Sequence, residues 1–177
     1  MIIGRGDIAS TIADVPNLDR PDRIYFASGV SNSQETRDSE YEREAHLLAK
    51  QDPTKHLIYF SSLSVFYADT RYAHHKRTME CLIRSQFLQH TIMRLGVIDW
   101  GDNPHTIINY LRRQHAEGQP LLIENAYRYV LAKDEFHHWL GLIPSWPCDM
   151  NITGTRLTVR QIVNQYVTKY RGSRSIT

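Results

Sequence analysis

The chain has 177 residues, 41% of them hydrophobic and 23% charged, with a formal net charge of +2; that is enough for one domain with a real core and too little for two. Its arginines are scattered among aspartates and glutamates and form no stripe, which argues against a nucleic-acid partner. No apolar run approaches the ~20 residues a membrane span needs, and the start of the chain lacks the basic-then-apolar pattern of a secretory signal, so a cytoplasmic protein is expected.

Met1-Ile2-Ile3 can only be a very short strand, and Gly4-Arg5-Gly6-Asp7 follows at once as a turn. Ile8, Ala9, Ile12 and Ala13 then have helical spacing, which Pro16 and Asn17 end. Residues 15–23 read as a loop. Arg23-Ile24-Tyr25-Phe26-Ala27 is a buried strand running into the Ser28-Gly29 turn. A polar loop over 31–34 precedes a charged helix over 39–49, whose apolar side includes Tyr41, Ala45 and Leu48. Residues 56–60 form the next strand, passing into Ser61-Ser62-Leu63-Ser64, and a helix over 72–85 buries Met79, Leu82 and Ile83. A strand at 91–95, a helix at 106–114, a short strand at 121–124, a segment at 127–130 and a helix near 135–140 follow. Residues 158–170 close the chain as an amphipathic helix with Val159, Ile162, Val163, Tyr166 and Val167 on its apolar face. One domain over 1–177 is expected, with a frayed tail at 172–177.

Strands alternating with helices predict an α/β fold, a mostly parallel, doubly wound sheet covered on both faces. Ligands of such sheets sit at the carboxyl ends of the strands, which directs attention to residues 4–9, 27–29, 61–64 and 96–101.

Three groups of residues there could carry chemistry. Gly4-Arg5-Gly6-Asp7-Ile8-Ala9 fits a G-x-G-x-x-A turn between strand and helix, where glycines let a backbone approach a pyrophosphate. Tyr72 and Lys76 lie four residues apart on one helix face, where a cation beside the phenol lowers its pKa and suits it to proton transfer at a hydroxyl or carbonyl. The hydroxyl-rich Ser61-Ser62-Leu63-Ser64 lies just upstream. The same spacing recurs at Tyr129 and Lys133, which are read as structural. Cys81 and Cys148 lack metal-ligand spacing and are expected to be reduced, buried and without chemistry. His74, His75, His137 and His138 are read as helix-surface residues, and no metal site is expected.

Ile58-Tyr59-Phe60-Ser61-Ser62-Leu63-Ser64-Val65-Phe66, followed by Tyr72-x-x-x-Lys76, resembles the active-site segment of extended short-chain dehydrogenases/reductases, the epimerase/dehydratase branch above all. Arg94-Leu95-Gly96-Val97-Ile98-Asp99-Trp100-Gly101 is similar to their following strand and substrate loop. Ala27-Ser28-Gly29 is similar to the turn beneath the nicotinamide, and Met150-Asn151-Ile152-Thr153-Gly154 to their C-terminal strand. The likeness covers nearly the whole chain in order, with polysaccharide gene-cluster members nearest in kind. It implies that Ser62 orients a substrate oxygen, Tyr72 moves the proton, and Lys76 holds the nicotinamide ribose. It also implies an NAD or NADP site on Gly4, Gly6, Ala9, Ala27, Gly29 and Lys76, and a nucleotide-linked sugar as substrate.

The departures are as specific. Where the family has two more strands with their helices, this chain has the loop 15–23, so a reduced Rossmann-like sheet is expected. The acid that holds the adenosine ribose, ~20 residues beyond the glycines, has no strand to stand on. The helix over 39–49 lacks the family's structural asparagine. Two readings stay open: an NAD(P)-dependent enzyme of nucleotide sugars, and a degenerate member serving as a binding or assembly module without redox activity. A truncated sheet leaves an exposed edge, so a homo-oligomer is expected in either case.

Overall fold

The structure, a computed structural model, describes residues 1–16, 18 and 20–169; the expected tail at 172–177 lies outside the described residues. Two sheets organise it. The larger has five strands: β1 (Ile2–Ile3), β2 (Arg23–Phe26), β3 (His56–Ser62), β4 (His90–Leu95) and β7 (Cys148–Ile152), all parallel and side by side in that order. The smaller sheet holds β5 (Val97–Ile98), β6 (Tyr127–Leu131) and β8 (Thr155–Thr158).

The central strands are buried on both faces, which is why Ile24-Tyr25-Phe26 and Leu57-Ile58-Tyr59-Phe60 read as continuous apolar runs. Alternate side chains still sort by face. Tyr25, Ile58, Phe60 and Met93 point towards α1 (Asp7–Ala13) and α5 (Lys133–Gly141), where Ile12, Phe136 and Leu140 meet them. Ile24, Phe26, Leu57, Tyr59 and Ile92 point the other way, onto Leu48 of α2 (Asp38–Ala49) and Met79 and Ile83 of α3 (Arg71–Gln86). A third cluster joins α4 (Ile107–Ala116), β6, and the terminal helix that starts as α6 (Val159–Ile162). Among the described residues no helix is long and apolar enough to cross a membrane.

The reduced Rossmann-like sheet is thus present, with helices on both faces and no strand among the described residues between Val15 and Asp22. Its strand order runs in sequence without reversal, and this has a topological consequence. The units β1–α1–β2 and β2–α2–β3 step in the same direction across the sheet, yet α1 and α2 lie on opposite faces. Their crossovers therefore have opposite hands. The α2 and α3 crossovers share one hand, and the β4-to-β7 connection, with α5 on the face of α1, shares the other with β1–α1–β2. The hand of β1–α1–β2 is the outcome when α1 keeps its face and the chain returns to β2 without the strands that would follow α1 beyond β1.

Three expectations need correction. Residues 121–124 form no strand: Leu122 is 78% exposed, so no buried face fixes a pleat there, and the ladder forms six residues later at β6. The closing helix starts at Val159, behind a capping box between Thr158 and Gln161, and widens to π geometry over Val163–Thr168. Cys81 is exposed, because it lies on the outer side of α3, while Cys148 is partly buried.

Candidate functional site

The carboxyl ends of β1 to β4 open into a cleft of about 1360 Å³, walled on its far side by α4 and the start of β6. Of the residues singled out from sequence, Gly6, Ala27, Gly29, Ser62, Tyr72 and Lys76 line it. Gly4 and Ala9 do not. Gly4 has φ +134, and a Cβ there would stand 2.2 Å from the Ala27 carbonyl oxygen, so its glycine serves the close approach of β1 to β2. Ala9 is on the buried side of α1.

Ser62 ends β3. Its hydroxyl accepts from the Ser64 amide at 3.2 Å, capping the short 3-10 turn Leu63–Phe66, and it faces the same cleft as Tyr72. That turn takes up the chain compactly. The Thr70 hydroxyl accepts from the Ala73 amide at 3.2 Å and starts α3, with Tyr72 in its first turn. A short connection therefore suffices to bring the serine and the phenol together.

Lys76, one turn further along α3, has a more crowded position. It is 2% exposed, and its Nζ donates to Glu44 Oε1 and to the Tyr59 hydroxyl, each at 3.0 Å. The fully buried Glu44 carboxylate also accepts from Tyr59 at 2.6 Å and from the Val30 amide at 2.7 Å, and His75 Nε2 lies 3.0 Å from it. A buried ion pair persists only when its remaining hydrogen-bonding capacity is met, and here it is. Gly29 completes the enclosure: a Cβ at that position would lie 2.5 Å from Lys76 Nζ.

These contacts set the ionisation. Burial alone would push the Glu44 carboxyl up, but Lys76, His75, Tyr59 and the Val30 amide together hold it well below the usual carboxylate range. For Tyr72, burial raises the phenol, Lys76 pulls it down, and Glu44 raises it again, leaving it above its ordinary value. The expectation that Lys76 draws Tyr72 towards neutral pH is therefore reversed. The cation's charge is already met by Glu44, and Nζ lies 5.7 Å from the centre of the Tyr72 ring.

Two further readings change. His75 is no surface residue: it packs edge-on to Tyr41 at 4.8 Å and reaches Glu44. Tyr129, read as structural, stands on β6 and lines the cleft, while Lys133 at the start of α5 pairs with Asp14 at 3.2 Å. Glu44 is the residue that reading for motifs misses. Its signal was a lone carboxylate at helical spacing between Tyr41 and Leu48, on the apolar side of α2, where an acid has to find a partner. Arg5, Arg43, Arg113 and Arg128 also line the cleft and give it cationic groups suited to phosphates.

The implied dinucleotide can be tested against these walls. At Gly6 an added Cβ would meet nothing within 4 Å, so the floor between the turns after β1 and β2 is open. Gly6, Ala27, Ser62 and Tyr72 fit the nicotinamide end. Its adenosine end finds no strand beyond β1 among the described residues, and so no acid for the ribose. The first turn of α1 carries Asp7, whose carboxylate accepts from the Asp102 and Asn103 amides at 3.2 and 3.1 Å.

The fold is a reduced Rossmann-like one, and solved structures share it. The chain is similar to WbmG of Bordetella bronchiseptica, a structure with NAD, at TM-score 0.61 and 12% identity over 88% of this chain and 57% of that one. It is similar to the UDP-glucuronic acid 4-epimerase of Bacillus cereus, bound to NAD and a fluorinated UDP-sugar, at TM-score 0.62 and 13% identity over 81% and 57%. The dTDP-4-dehydrorhamnose reductase of Bacillus anthracis, with NADP, aligns at TM-score 0.59 and 13% identity over 81% and 62%. The chain thus spans less than two thirds of the length of these enzymes. No protein-family model matches the chain, and no curated protein sequence matches it.

Proposed function

We propose that the cleft binds a nucleotide-linked sugar beside NAD or NADP and supports epimerase-, dehydratase- or reductase-type chemistry at a sugar hydroxyl or carbonyl, in the service of polysaccharide assembly. The observation that carries this reading is the meeting of Ser62, Tyr72 and Lys76 in one cleft at the strand ends. Bound NAD(P) would exchange hydride with the sugar carbon. Ser62 would orient the sugar oxygen. Tyr72, which keeps its proton through neutral pH, suits the donor role towards an oxygen gaining negative charge. The four cleft arginines would receive the nucleotide phosphates. The solved neighbours, crystallised with NAD, NADP or a UDP-sugar, support the class of ligand.

The second reading, a module that binds nucleotide sugars or assembles with partners without redox activity, is favoured by two specific observations. One is the absence, among the described residues, of any strand for the adenosine half; the other is Lys76 closed onto Glu44. In either case we place the protein in the cytoplasm, as one domain, with a second copy covering the free edge of β1 unless residues 15–23 do so.

Turnover separates the two readings. The purified protein is offered UDP- and dTDP-linked sugars with each dinucleotide, and product is followed by chromatography. The enzymatic reading expects conversion that falls by about 10²–10⁴-fold in Tyr72→Phe with the fold unchanged. Conversion at full rate in Tyr72→Phe would remove Tyr72 from the chemistry. No conversion of any sugar, with nucleotide binding retained, would favour the module.

A further inference from the structure

The buried group at the junction of α2, α3 and β3 bears on how Tyr72 is set. Lys76 is four residues from Tyr72 on one helix face, the spacing at which an ammonium can sit against a phenol. It does not do so. Its Nζ is held at 3.0 Å by Glu44 and at 3.0 Å by the Tyr59 hydroxyl, and Gly29 leaves just enough room for it to lie there. Glu44 is itself fixed on every side, by the Val30 amide, Tyr59 and His75, so it cannot follow Lys76 towards the cleft.

We propose that Glu44 is a positioning residue: it competes with Tyr72 for Lys76, holds the ammonium on Tyr59, and so leaves Tyr72 a neutral phenol facing the cleft beside Ser62. Helix α2 thereby acts on the site without touching the cleft's reacting position. The groups facing this set are few. Lys76 meets Glu44 from α2, Tyr59 from β3 and the Tyr72 ring on its own helix; His75 meets Glu44, Tyr59 also feels Glu80 of α3, Tyr72 feels Tyr67 and Tyr41, and Arg71 lies over the Tyr41 ring at 4.4 Å. Of these, Glu44 alone is an acid in direct contact with Lys76. The functional meaning of the proposal rests on the proposed chemistry at Tyr72, but the ionisation state it predicts does not.

The test is a spectroscopic titration of tyrosine in the ligand-free protein, in wild type and Glu44→Gln, each with and without Tyr72→Phe, so that the difference isolates Tyr72. Glutamine keeps the size of Glu44 and can still bond the Val30 amide and Tyr59, but has no charge to hold Lys76. Tyr72 should titrate above free tyrosine in wild type and at least about one pH unit lower in Glu44→Gln. A Tyr72 titration that stays put in a folded Glu44→Gln protein would overturn the proposal and leave Glu44 a merely structural residue. Should Glu44→Gln fail to fold, Glu44→Asp gives the same readout. Its charge is drawn back by one carbon, so Tyr72 should shift down by a smaller amount, and an unshifted Tyr72 would again overturn the proposal. No dinucleotide or sugar enters the experiment, so its failure is distinct from a failure to find turnover.

Discussion

An alanine at Gly4 would set its Cβ 2.2 Å from the Ala27 carbonyl oxygen and 2.6 Å from the carbonyl carbon, at a φ of +134 that side chains avoid. Both atoms are backbone and cannot turn aside. Gly4→Ala should therefore destabilise the fold by on the order of 2–4 kcal/mol, read as a lower denaturant midpoint. A change within experimental error would contradict this packing role. Gly6, two residues on, behaves differently: its backbone is ordinary extended chain, and the space beside it is empty. The two glycines looked alike in the sequence, as members of one phosphate-type turn, and only the neighbouring strand end at Ala27 tells them apart. Tyr72 and Lys76 were legible by spacing, but spacing could not say where the ammonium points. That depended on Glu44, thirty-two residues earlier in the chain.

At the scale of elements, β3 was readable because it is a long apolar run buried on both faces, and α3 because Met79 and Ile83 recur at helical spacing against it. The strand β6 was only a segment without a period, since exposed Tyr127 and Tyr129 alternate with a half-buried Arg128 whose charge hides the pattern. Its apolar ends, Val130 and Leu131, are buried by β5 and β8, which lie far away in sequence. A buried polar pair at the start of β3 offers a prediction at this scale. His56 Nε2 lies 2.9 Å from the Thr91 hydroxyl on β4, and burial, with Arg23 nearby, pushes the imidazole down to about 4 from an ordinary 6.5. A histidine kept neutral in the folded state adds stability that is complete above pH 6.5 and is lost as pH falls towards 4. The loss should amount to on the order of 1–3 kcal/mol. In His56→Gln, which can keep the bond to Thr91, the decline across that window should flatten. An equally steep decline in the variant would assign it to other groups.

At the scale of the whole molecule, the sequence showed that strands were missing but not what their loss does to the sheet. With nothing between α1 and β2 but a short return, the strand order becomes sequential, β1–α1–β2 crosses with the hand opposite to its neighbour β2–α2–β3, and β1 becomes an edge of two residues. What survives is the half of the sheet that carries Ser62, Tyr72 and Lys76 and the open floor at Gly6. The central claim is that this remaining half still binds a nicotinamide dinucleotide at the strand ends. Calorimetric titration with NAD, NADH, NADP and NADPH tests it most directly, in wild type and in Gly6→Val, whose side chain would fill the open floor while its extended backbone suits valine. The account predicts saturable binding of at least one dinucleotide to wild type, and its loss in a Gly6→Val protein of unchanged circular dichroism. Absence of heat with all four dinucleotides, or binding that Gly6→Val leaves intact, would contradict it.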